Sequence, residues 1–221
     1  MKAKAVVVFS GGPDSATALY IALKRGFEVF PITFDYWQLA RKEIECAREM
    51  SKMLGLNWVL IDLSSVGKFY SGKTSLVDPS KPITSEFSKP IIVPFRNGVM
   101  LSIAVAFAES LGAERVFYGA QGSDAKHYPD CRGTFVKAFE SAARFGTDSK
   151  ISIEAPLITL KKSGVLKLGE ELGVPFEMTW SCYSQRRKHC GECESCNNRK
   201  QAFTDAGIED PTEYETAENI K

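Results

Sequence analysis

One short segment near the N-terminus has the composition of a phosphate-binding loop. Ser10-Gly11-Gly12-Pro13-Asp14-Ser15 follows a β-branched run and precedes a helical pattern. Glycines allow several backbone N–H groups to face one point, and the N-terminus of a helix favours an anion. The hydroxyls of Ser10 and Ser15 add donors. Because the Asp14 carboxylate disfavours an anion, we expect it to cap the helix or to hold a metal ion that bridges phosphates.

Four cysteines near the C-terminus have the spacing of a metal site, Cys182-x7-Cys190-x2-Cys193-x2-Cys196. Zn²⁺ favours four ligands in a tetrahedron, and four thiolates leave no position for a substrate or an activated water. The spacing therefore predicts a closed, structural zinc site. An iron–sulfur cluster and unpaired buried cysteines are the alternatives. His189, beside Cys190, is not needed as a ligand and is predicted to lie on the surface.

A second candidate phosphate loop lies at residues 67–74, where Gly67-Lys68-Phe69-Tyr70-Ser71-Gly72-Lys73-Thr74 matches the Walker A pattern. That pattern needs a strand directly before it and a helix directly after it. Pro79 and Pro82 follow closely and prevent the helix. We interpret the match as accidental, with Lys68 and Lys73 as solvated loop charges.

The elements that position these segments alternate between strand and helix patterns. Strands are predicted at 4–9, 27–34, 57–63, 115–118 and 151–156, and helices at 15–25, 40–54, 97–111, 134–145, 160–172 and 198–206. This alternation indicates an α/β fold, a doubly wound parallel sheet. Residues 64–94, rich in proline, are predicted to form a long loop. We expect an ATP-binding α/β domain over 1–175 and a zinc-binding segment with a tail over 176–221.

Charge and hydropathy exclude several classes of protein. Lys and Arg number 28 and Asp and Glu 27, which gives a net charge of +1. Such a balance argues against a protein that coats nucleic acid, and we expect no direct nucleic-acid partner. We see no apolar run near the ~20 residues that a membrane span needs and no signal-peptide pattern. A cytoplasmic protein without a membrane partner is therefore expected.

Together these features resemble the 7-cyano-7-deazaguanine synthase family, a branch of the PP-loop ATP pyrophosphatases. The resemblance extends from Val6 to about Arg199. It rests on residues 9–15, Thr33-Phe34-Asp35-Tyr36, Pro94-x-Arg96-Asn97, Tyr128-Pro129-Asp130-Cys131-Arg132, Lys162, and Thr179-Trp180-Ser181-Cys182-Tyr183 with the later cysteines. It implies a PP-loop (HUP-like) version of the doubly wound sheet with a C-terminal zinc-binding segment, and a homodimer.

The resemblance also implies an activity, that of an ATP-dependent carbon–nitrogen ligase. In the family, the carboxylate of 7-carboxy-7-deazaguanine is activated by adenylation, with release of pyrophosphate. Ammonia then gives an amide, and a second activation with dehydration gives the nitrile, 7-cyano-7-deazaguanine, on the route to queuosine and archaeosine. The implied cofactors are ATP with Mg²⁺ and a structural Zn²⁺.

Roles for individual residues follow from the same resemblance. It implies catalytic roles for Lys162, Arg96 and Asp14, with the two cations lying against phosphate or the substrate carboxylate. Substrate binding is expected from Arg96, Asn97, Asp130 and Arg132, with Asp130 accepting hydrogen bonds from the guanine-like N1–H and 2-amino groups. Tyr36 is expected to stack on a base. The residues expected to bind ATP are Phe9, Ser10, Gly11, Gly12, Pro13, Asp14, Ser15, Asp35 and Tyr36.

Simpler interpretations of these residues stay open. Arg96 could form an ion pair at a helix N-terminus, Lys162 could be solvated, and Asp130 could pair with Arg132. Cys131 is more typical of packing than of a nucleophile.

The sequence departs from the family pattern at several expected pocket positions. Trp37 and Phe95 stand where the family usually has glycine, Leu39 and Ala40 replace a basic residue and a histidine, and Ser123 replaces an acidic residue. These departures leave open an enzyme that stops at an amide by joining the activated deazaguanine to another amine, such as one on a protein. A different PP-loop activity, such as a tRNA-modifying thiolase or an amidotransferase domain, and a zinc-ribbon module that binds nucleic acid are the further alternatives.

Overall fold

The sheet of the computed structural model, which describes residues 2–215, has five parallel strands in the order β3-β2-β1-β4-β5. On the central strand, Val6 lies opposite Phe30 on one side and Val116 on the other. The predicted doubly wound α/β sheet is therefore confirmed. The strands are β1 (Lys4–Val8), β2 (Glu28–Asp35), β3 (Val59–Asp62), β4 (Arg115–Tyr118) and β5 (Ser152–Glu154).

Seven α-helices connect and cover these strands in the described part of the chain. Each predicted helix is present, with its ends shifted by a few residues. The largest shift is in the last helix, which begins at Glu194 rather than at 198. The helices are α1 (Pro13–Lys24), α2 (Lys42–Met53), α3 (Ser64–Tyr70), α4 (Arg96–Leu111), α5 (Gly133–Gly146), α6 (Lys162–Glu171) and α7 (Glu194–Ala206).

The segment 64–94 is not a loop throughout, because α3 occupies its start. The backbone N–H of Ser64 donates to Asp62 Oδ1 (2.7 Å) just where this helix begins. The prolines that suggested a loop begin only at Pro79, so they do not prevent a helix before Tyr70. A short 3-10 turn, Lys89–Ile91, lies near the end of the segment.

Both faces of the sheet are covered, because successive buried residues of β1 belong to core clusters on opposite faces. Val7 belongs to a core cluster with Leu19, Leu166 and Phe203, which come from α1, α6 and α7. Val6 belongs to a second cluster, which includes Leu101 of α4. A strand with both faces buried is typical of a doubly wound fold. Because Phe203 lies in the same core as Val7, the C-terminal helix packs directly on the α/β layer.

The segment Lys89–Leu111 is long and apolar enough to cross a membrane by length and composition, contrary to our expectation for such runs. In the structure only its second part is α-helical. That helix, α4, packs against β1 and β4, with Leu101, Ala104 and Ala108 buried. We therefore interpret it as a core helix.

The N-termini of α1, α4 and α6 meet at the carboxyl edge of the sheet. Lys162 at the start of α6 contacts Asp14 at the start of α1, and Arg96 at the start of α4 contacts Tyr36, the residue after β2. Open parallel sheets bind their ligands at this edge.

Candidate active site

The loop before α1 needs glycine at position 11 for two reasons. Gly11 has a φ of +87°, in the left-handed region, and a Cβ added to it would lie 2.2 Å from the carbonyl oxygen of Glu43. Within the loop, the Gly12 N–H donates to Ser10 Oγ (3.3 Å), and Ser15 Oγ donates to the Gly12 carbonyl oxygen (3.0 Å). These bonds hold the loop in one conformation.

This loop leads into a helix N-terminus that is free to receive an anion. Gly12 precedes α1 and Pro13 begins it, with no side-chain cap. The first N–H groups of a helix have no partner within it, so an uncapped N-terminus attracts phosphate. Ser10, Gly12 and Ser15 line a cavity of about 190 Å³ beside it. This arrangement, called the phosphate cradle below, suits a phosphate, and phosphate binding stays a prediction.

Asp14 does not cap the helix but pairs with a lysine. Its Oδ2 lies 2.5 Å from Lys162 Nζ, so Lys162 is not simply solvated. Its Oδ1 is buried and has no hydrogen-bond partner among the described residues. An orphaned carboxylate oxygen beside a phosphate cradle suits a hard cation such as Mg²⁺.

The second cation of the site is Arg96, whose Nη1 donates to the Tyr36 hydroxyl (2.9 Å). Within residues 2–215 it forms no salt bridge to a carboxylate, so the ion-pair interpretation is wrong. The phenol and the nearby Glu43 carboxylate raise the pKa of this guanidinium further above its ordinary value. Burial raises the pKa of Glu43 to about 7, and the charge of Arg96 only partly opposes that rise.

A larger cavity of about 670 Å³ adjoins the first. Five residues line both cavities, namely Asp14, Arg96, Asn97, Asp124 and Cys131. The outer wall comes from the C-terminal segment and includes Tyr183, Glu194 and Asn198. A volume of this size suits a small-molecule ligand. The pocket thus extends from the phosphate cradle to the cysteine segment.

Of the four residues predicted to bind substrate, three lie together. Asp130 is buried, and its Oδ2 accepts the backbone N–H of Asn97 (2.9 Å) at the start of α4 beside Arg96. Arg132, by contrast, is exposed and lines neither cavity. Its Nε–H donates a hydrogen bond to the Ala125 carbonyl oxygen (3.0 Å). Asp130 and Arg132 therefore do not pair with each other.

The thiol of Cys131 lies in both cavity walls but is not activated. Burial raises its pKa to about 12, and the nearby carboxylates of Asp124 and Asp130 add to the rise. A protonated, buried thiol is a poor nucleophile. The structure agrees with a packing role for this residue.

The remaining residues predicted to bind ATP have other contacts. The Phe9 side chain is fully buried in the core, and its carbonyl oxygen accepts from Thr33. Asp35 accepts from Arg41 and from the Trp37 N–H. Neither lines a cavity, nor does Pro13, whereas Tyr36 does. ATP binding by these residues stays a prediction.

The four predicted cysteine ligands form one buried cluster. All four sulfur atoms lie within 4.8 Å of one another, and Cys190 Sγ is 3.8 Å from Cys196 Sγ. A Zn–S bond of 2.3 Å in a regular tetrahedron gives sulfur separations of about 3.8 Å. The N–H groups of Ser184 and Cys190 point at Cys182 Sγ, both at 3.4 Å, and such bonds favour the thiolate. The donor set fits zinc.

The prediction that His189 lies on the surface is wrong. It is 4% exposed, its ring packs on that of Trp180, and its Nε2 accepts the Ser181 N–H (3.1 Å). Burial lowers its pKa to about 4, so the ring is neutral. A bridge to Tyr214 places the chain after α7 beside it, a contact between segments that no local pattern indicated.

Sequence reasoning also missed the contact between the cysteine segment and the phosphate loop. The Trp180 N–H donates to the Gly11 carbonyl oxygen (2.9 Å). Arg199, 1% exposed, supports this segment by donating to Thr179 Oγ1 (2.9 Å) and Ser181 Oγ (3.1 Å). Glu43, Gln121, Asp124, Tyr183 and Glu194 line the cavities, although the sequence analysis assigned them no role there. Gln121 and Asp124, shortly after β4, are the two that a search of strand ends would have found.

The Walker A match is accidental in the structure as well. Gly67 is buried inside α3, which ends at Tyr70, and no helix follows Thr74 directly. Lys68 and Lys73 are exposed, as predicted, but Lys68 lies on α3 rather than in a loop.

Two of the departures from the family pattern have an unusual backbone. Trp37 and Phe95 have φ values of +68° and +54°, and they are the non-glycine residues of the described chain with positive φ. Glycine adopts this region without strain, whereas bulky residues do so at a cost. The backbone at these two positions thus has the conformation that glycine favours.

Comparison with known proteins identifies close relatives. The family described as "Queuosine biosynthesis protein QueC" matches residues 4–207. A 7-cyano-7-deazaguanine synthase of Psychromonas ingrahamii is 42% identical over 97% of this chain and 99% of that protein. One from Thermoplasma volcanium is 45% identical over 97% of this chain and 92% of that protein.

Solved structures at lower identity share the fold. A 4-thiouridine synthetase in complex with RNA and ATP is 20% identical, with a TM-score of 0.54 over 93% of this chain and 50% of that one. NMN synthetase from Francisella tularensis is 17% identical, with a TM-score of 0.54 over 94% of this chain and 79% of that one. These likenesses concern the fold alone.

Proposed function

The chain belongs to the QueC family of queuosine biosynthesis proteins, and we propose on that basis that it is an ATP-dependent 7-cyano-7-deazaguanine synthase. It converts 7-carboxy-7-deazaguanine and ammonia to the nitrile. One observation carries the proposal, the identity of 42–45% over 97% of the chain to relatives of that name. No contact described above favours an amide product, a protein acceptor or a nucleic-acid-binding role.

In this proposal the loop at 10–15 holds the pyrophosphate part of ATP. The uncapped N-terminus of α1 and the Ser10 hydroxyl face the cavity, and Lys162 supplies positive charge beside Asp14. Charge that develops on pyrophosphate as it leaves is offset by donors already in place. The enzyme needs no covalent nucleophile, which agrees with the protonated thiol of Cys131.

The deazaguanine lies in the larger cavity. Arg96 is placed to bind its carboxylate, because this half-buried guanidinium is bonded only to the Tyr36 phenol among the described residues. Asp130 uses Oδ2 for the Asn97 N–H, which leaves Oδ1 to accept from the N1–H or the 2-amino group. Holding the acid beside the α-phosphate of ATP removes much of the entropic cost of their reaction.

We propose that the protein binds two metal ions, one at Asp14 and one at the four cysteines. Asp14, through its orphaned Oδ1, would hold Mg²⁺, which supplies charge neutralisation for the phosphates when bound. The four cysteines would hold a structural Zn²⁺.

We also propose a cytoplasmic homodimer. The homodimer is what the family resemblance implies. Light scattering of the purified protein tests the dimer, and a monomer at micromolar concentration would contradict it.

The function is tested by incubating the zinc-loaded protein with ATP, Mg²⁺, 7-carboxy-7-deazaguanine and ammonium chloride. We expect a product with the mass of the nitrile, together with AMP and pyrophosphate. Accumulation of the amide as the final product, or no consumption of the acid, contradicts the proposal. Omitting ammonium provides the control for the source of nitrogen.

A further inference from the structure

Glu43 is a carboxylate in the inner cavity to which the family resemblance assigned no role. It lies in the first turn of α2, where its carbonyl oxygen packs against Gly11 of the phosphate loop. Its side chain helps to line the cavity of about 190 Å³, together with Ser10, Gly12 and Arg96. In so small a cavity the Glu43 carboxylate lies close to the phosphate loop.

The orientation of this carboxylate is fixed by one neighbour. Gln38 Nε2 donates to Glu43 Oε1 (3.0 Å) and to the Phe34 carbonyl oxygen (3.0 Å). Gln38 Oε1 accepts the Tyr36 N–H (2.9 Å), so both ends of the amide are engaged. Glu43 Oε2 receives no hydrogen bond from residues 2–215. One oxygen is therefore held in place, and the other is available to a ligand.

The charges around Glu43 leave it without a cation of its own. Arg96 is the cation whose charge lowers the pKa of Glu43, but its Nη1 donates to the Tyr36 hydroxyl and forms no salt bridge with Glu43 among the described residues. The other carboxylates of the pocket are engaged elsewhere. Asp14 pairs with Lys162, Asp124 Oδ1 accepts from Gln121 (2.8 Å), and Asp130 accepts the Asn97 N–H.

We propose that Glu43 is a catalytic residue that binds the ammonium ion and accepts one proton from it before the amide forms. This inference rests on the proposed function. Ammonia is mostly protonated at neutral pH, and ammonium has no lone pair with which to attack. An enzyme that uses it needs an acceptor beside the activated acyl group. A carboxylate whose pKa lies near the working pH can both bind the cation and hold its proton.

Ammonium gives one proton to Glu43 Oε2, and the resulting ammonia attacks the acyl carbon of the adenylate. A C–N bond forms, and the C–O bond to the phosphate of AMP breaks, with the electron pair leaving on AMP. The proton shed by the new amide nitrogen neutralises the departing phosphate oxygen. Glu43 returns its proton to water.

The test compares Glu43→Gln with Glu45→Gln, its neighbour on the exposed face of α2, paired only with Lys42. Two reactions are measured, ATP–pyrophosphate exchange that depends on the deazaguanine acid, and amide plus nitrile formation as ammonium chloride is varied. For Glu43→Gln we expect exchange within about threefold of the wild type and a kcat/KM for ammonium at least about 30-fold lower. Glu45→Gln should match the wild type in both.

Hydroxylamine separates proton transfer from a structural role. It is largely neutral near pH 7 and attacks acyl adenylates without first losing a proton. Glu43→Gln should therefore form the hydroxamate at close to the wild-type rate. An equal loss with hydroxylamine and ammonium, or unchanged use of ammonium, overturns the inference. Glu43→Asp, which keeps the carboxylate, should retain more ammonium-dependent activity than Glu43→Gln, and the reverse order also overturns it. Absence of exchange in the wild type would instead refute the proposed function.

Discussion

The backbone N–H of Trp180 is bonded to the carbonyl oxygen of Gly11 at 2.9 Å, so the cysteine segment directly supports the phosphate loop. This contact joins two features that lie about 170 residues apart in sequence and that the sequence presented as separate sites. We therefore expect a substitution in the cysteine segment to alter the phosphate loop, and a substitution in the loop to alter the cysteine segment.

Loss of the metal should therefore weaken nucleotide binding. For Cys196→Ser we expect less than one zinc per chain and unfolding that is easier by more than ~3 kcal/mol, because metal binding contributes to folding. Weaker ATP binding should accompany these changes. Metal analysis, thermal denaturation and calorimetric titration with ATP measure the three effects. Cys46→Ser is the control, since Cys46 lies on α2 outside the cluster, and equal loss of zinc there would contradict the assignment.

Substituting Gly11 should damage both stability and activity. An alanine Cβ would strain a φ of +87° and meet the Glu43 carbonyl oxygen at 2.2 Å. We expect Gly11→Ala to cost about 2 kcal/mol or more of stability and to lower kcat/KM for ATP at least about 100-fold. Chemical denaturation and steady-state kinetics measure these effects. Gly146→Ala, where nothing lies within 4 Å of the added carbon, should be nearly neutral.

Removing the Lys162 ammonium should affect the reaction more than the fold. Lys162→Met leaves Asp14 without its partner and takes away charge that we assign to the phosphates. We expect exchange of ATP and pyrophosphate to fall at least about 100-fold, with a melting temperature within a few degrees of the wild type. Lys167→Met, an exposed position on the same helix, should have no effect. Full exchange activity in Lys162→Met would remove this lysine from the mechanism.

The pKa of Glu43 predicts how stability depends on pH. It is raised from 4.5 to about 7 in the folded chain, so the folded state binds more protons than the unfolded state between these values. The contribution of Glu43 to stability should therefore fall as pH rises from 4.5 to 7, against the opposite contribution of the buried, neutral His189. Glu43→Gln should remove the contribution of Glu43 and be the more stable protein at pH 8, by about 2 kcal/mol. Urea denaturation across this range measures the slope, and a wild-type slope in the variant would contradict the prediction.

The positive φ of Trp37 gives a prediction about backbone strain. At +68°, glycine is unstrained, whereas a β-branched residue is strongly disfavoured. We therefore expect Trp37→Gly to be more stable than Trp37→Val by about 1–2 kcal/mol. Thermal and chemical denaturation of the two variants provide the comparison. Equal stability would mean that the residue adopts another backbone conformation.

Local patterns were enough to predict the α/β layers of the fold, the loop that follows the first strand, and the four cysteines that form one cluster. The β-branched run before Ser10 and the spacing of the four cysteines each reflect one physical requirement, a buried strand or a tetrahedral ligand set. The prolines after Thr74 were equally sufficient to dismiss the Walker A match.

What the sequence did not reveal depends on contacts between distant segments. The burial of His189 requires Tyr214, the cap on α4 comes from Asp130, and the fixed orientation of Glu43 comes from Gln38. The position of Arg132 is another example: Asp130, two residues before it, lines the larger cavity, whereas the Nε–H of Arg132 donates to the Ala125 carbonyl oxygen. Residues two positions apart in a turn need not share a direction.

The larger cavity is lined by residues that lie far apart in the chain, among them Asp14 at the start of α1 and Asp205 near the end of α7. During translation the first leaves the ribosome long before the second. The first strands of a nascent chain can thus pair before the residues that form one wall of the larger cavity have been synthesised. A product truncated before α7 would therefore lack this side of the cavity even where its strands have assembled.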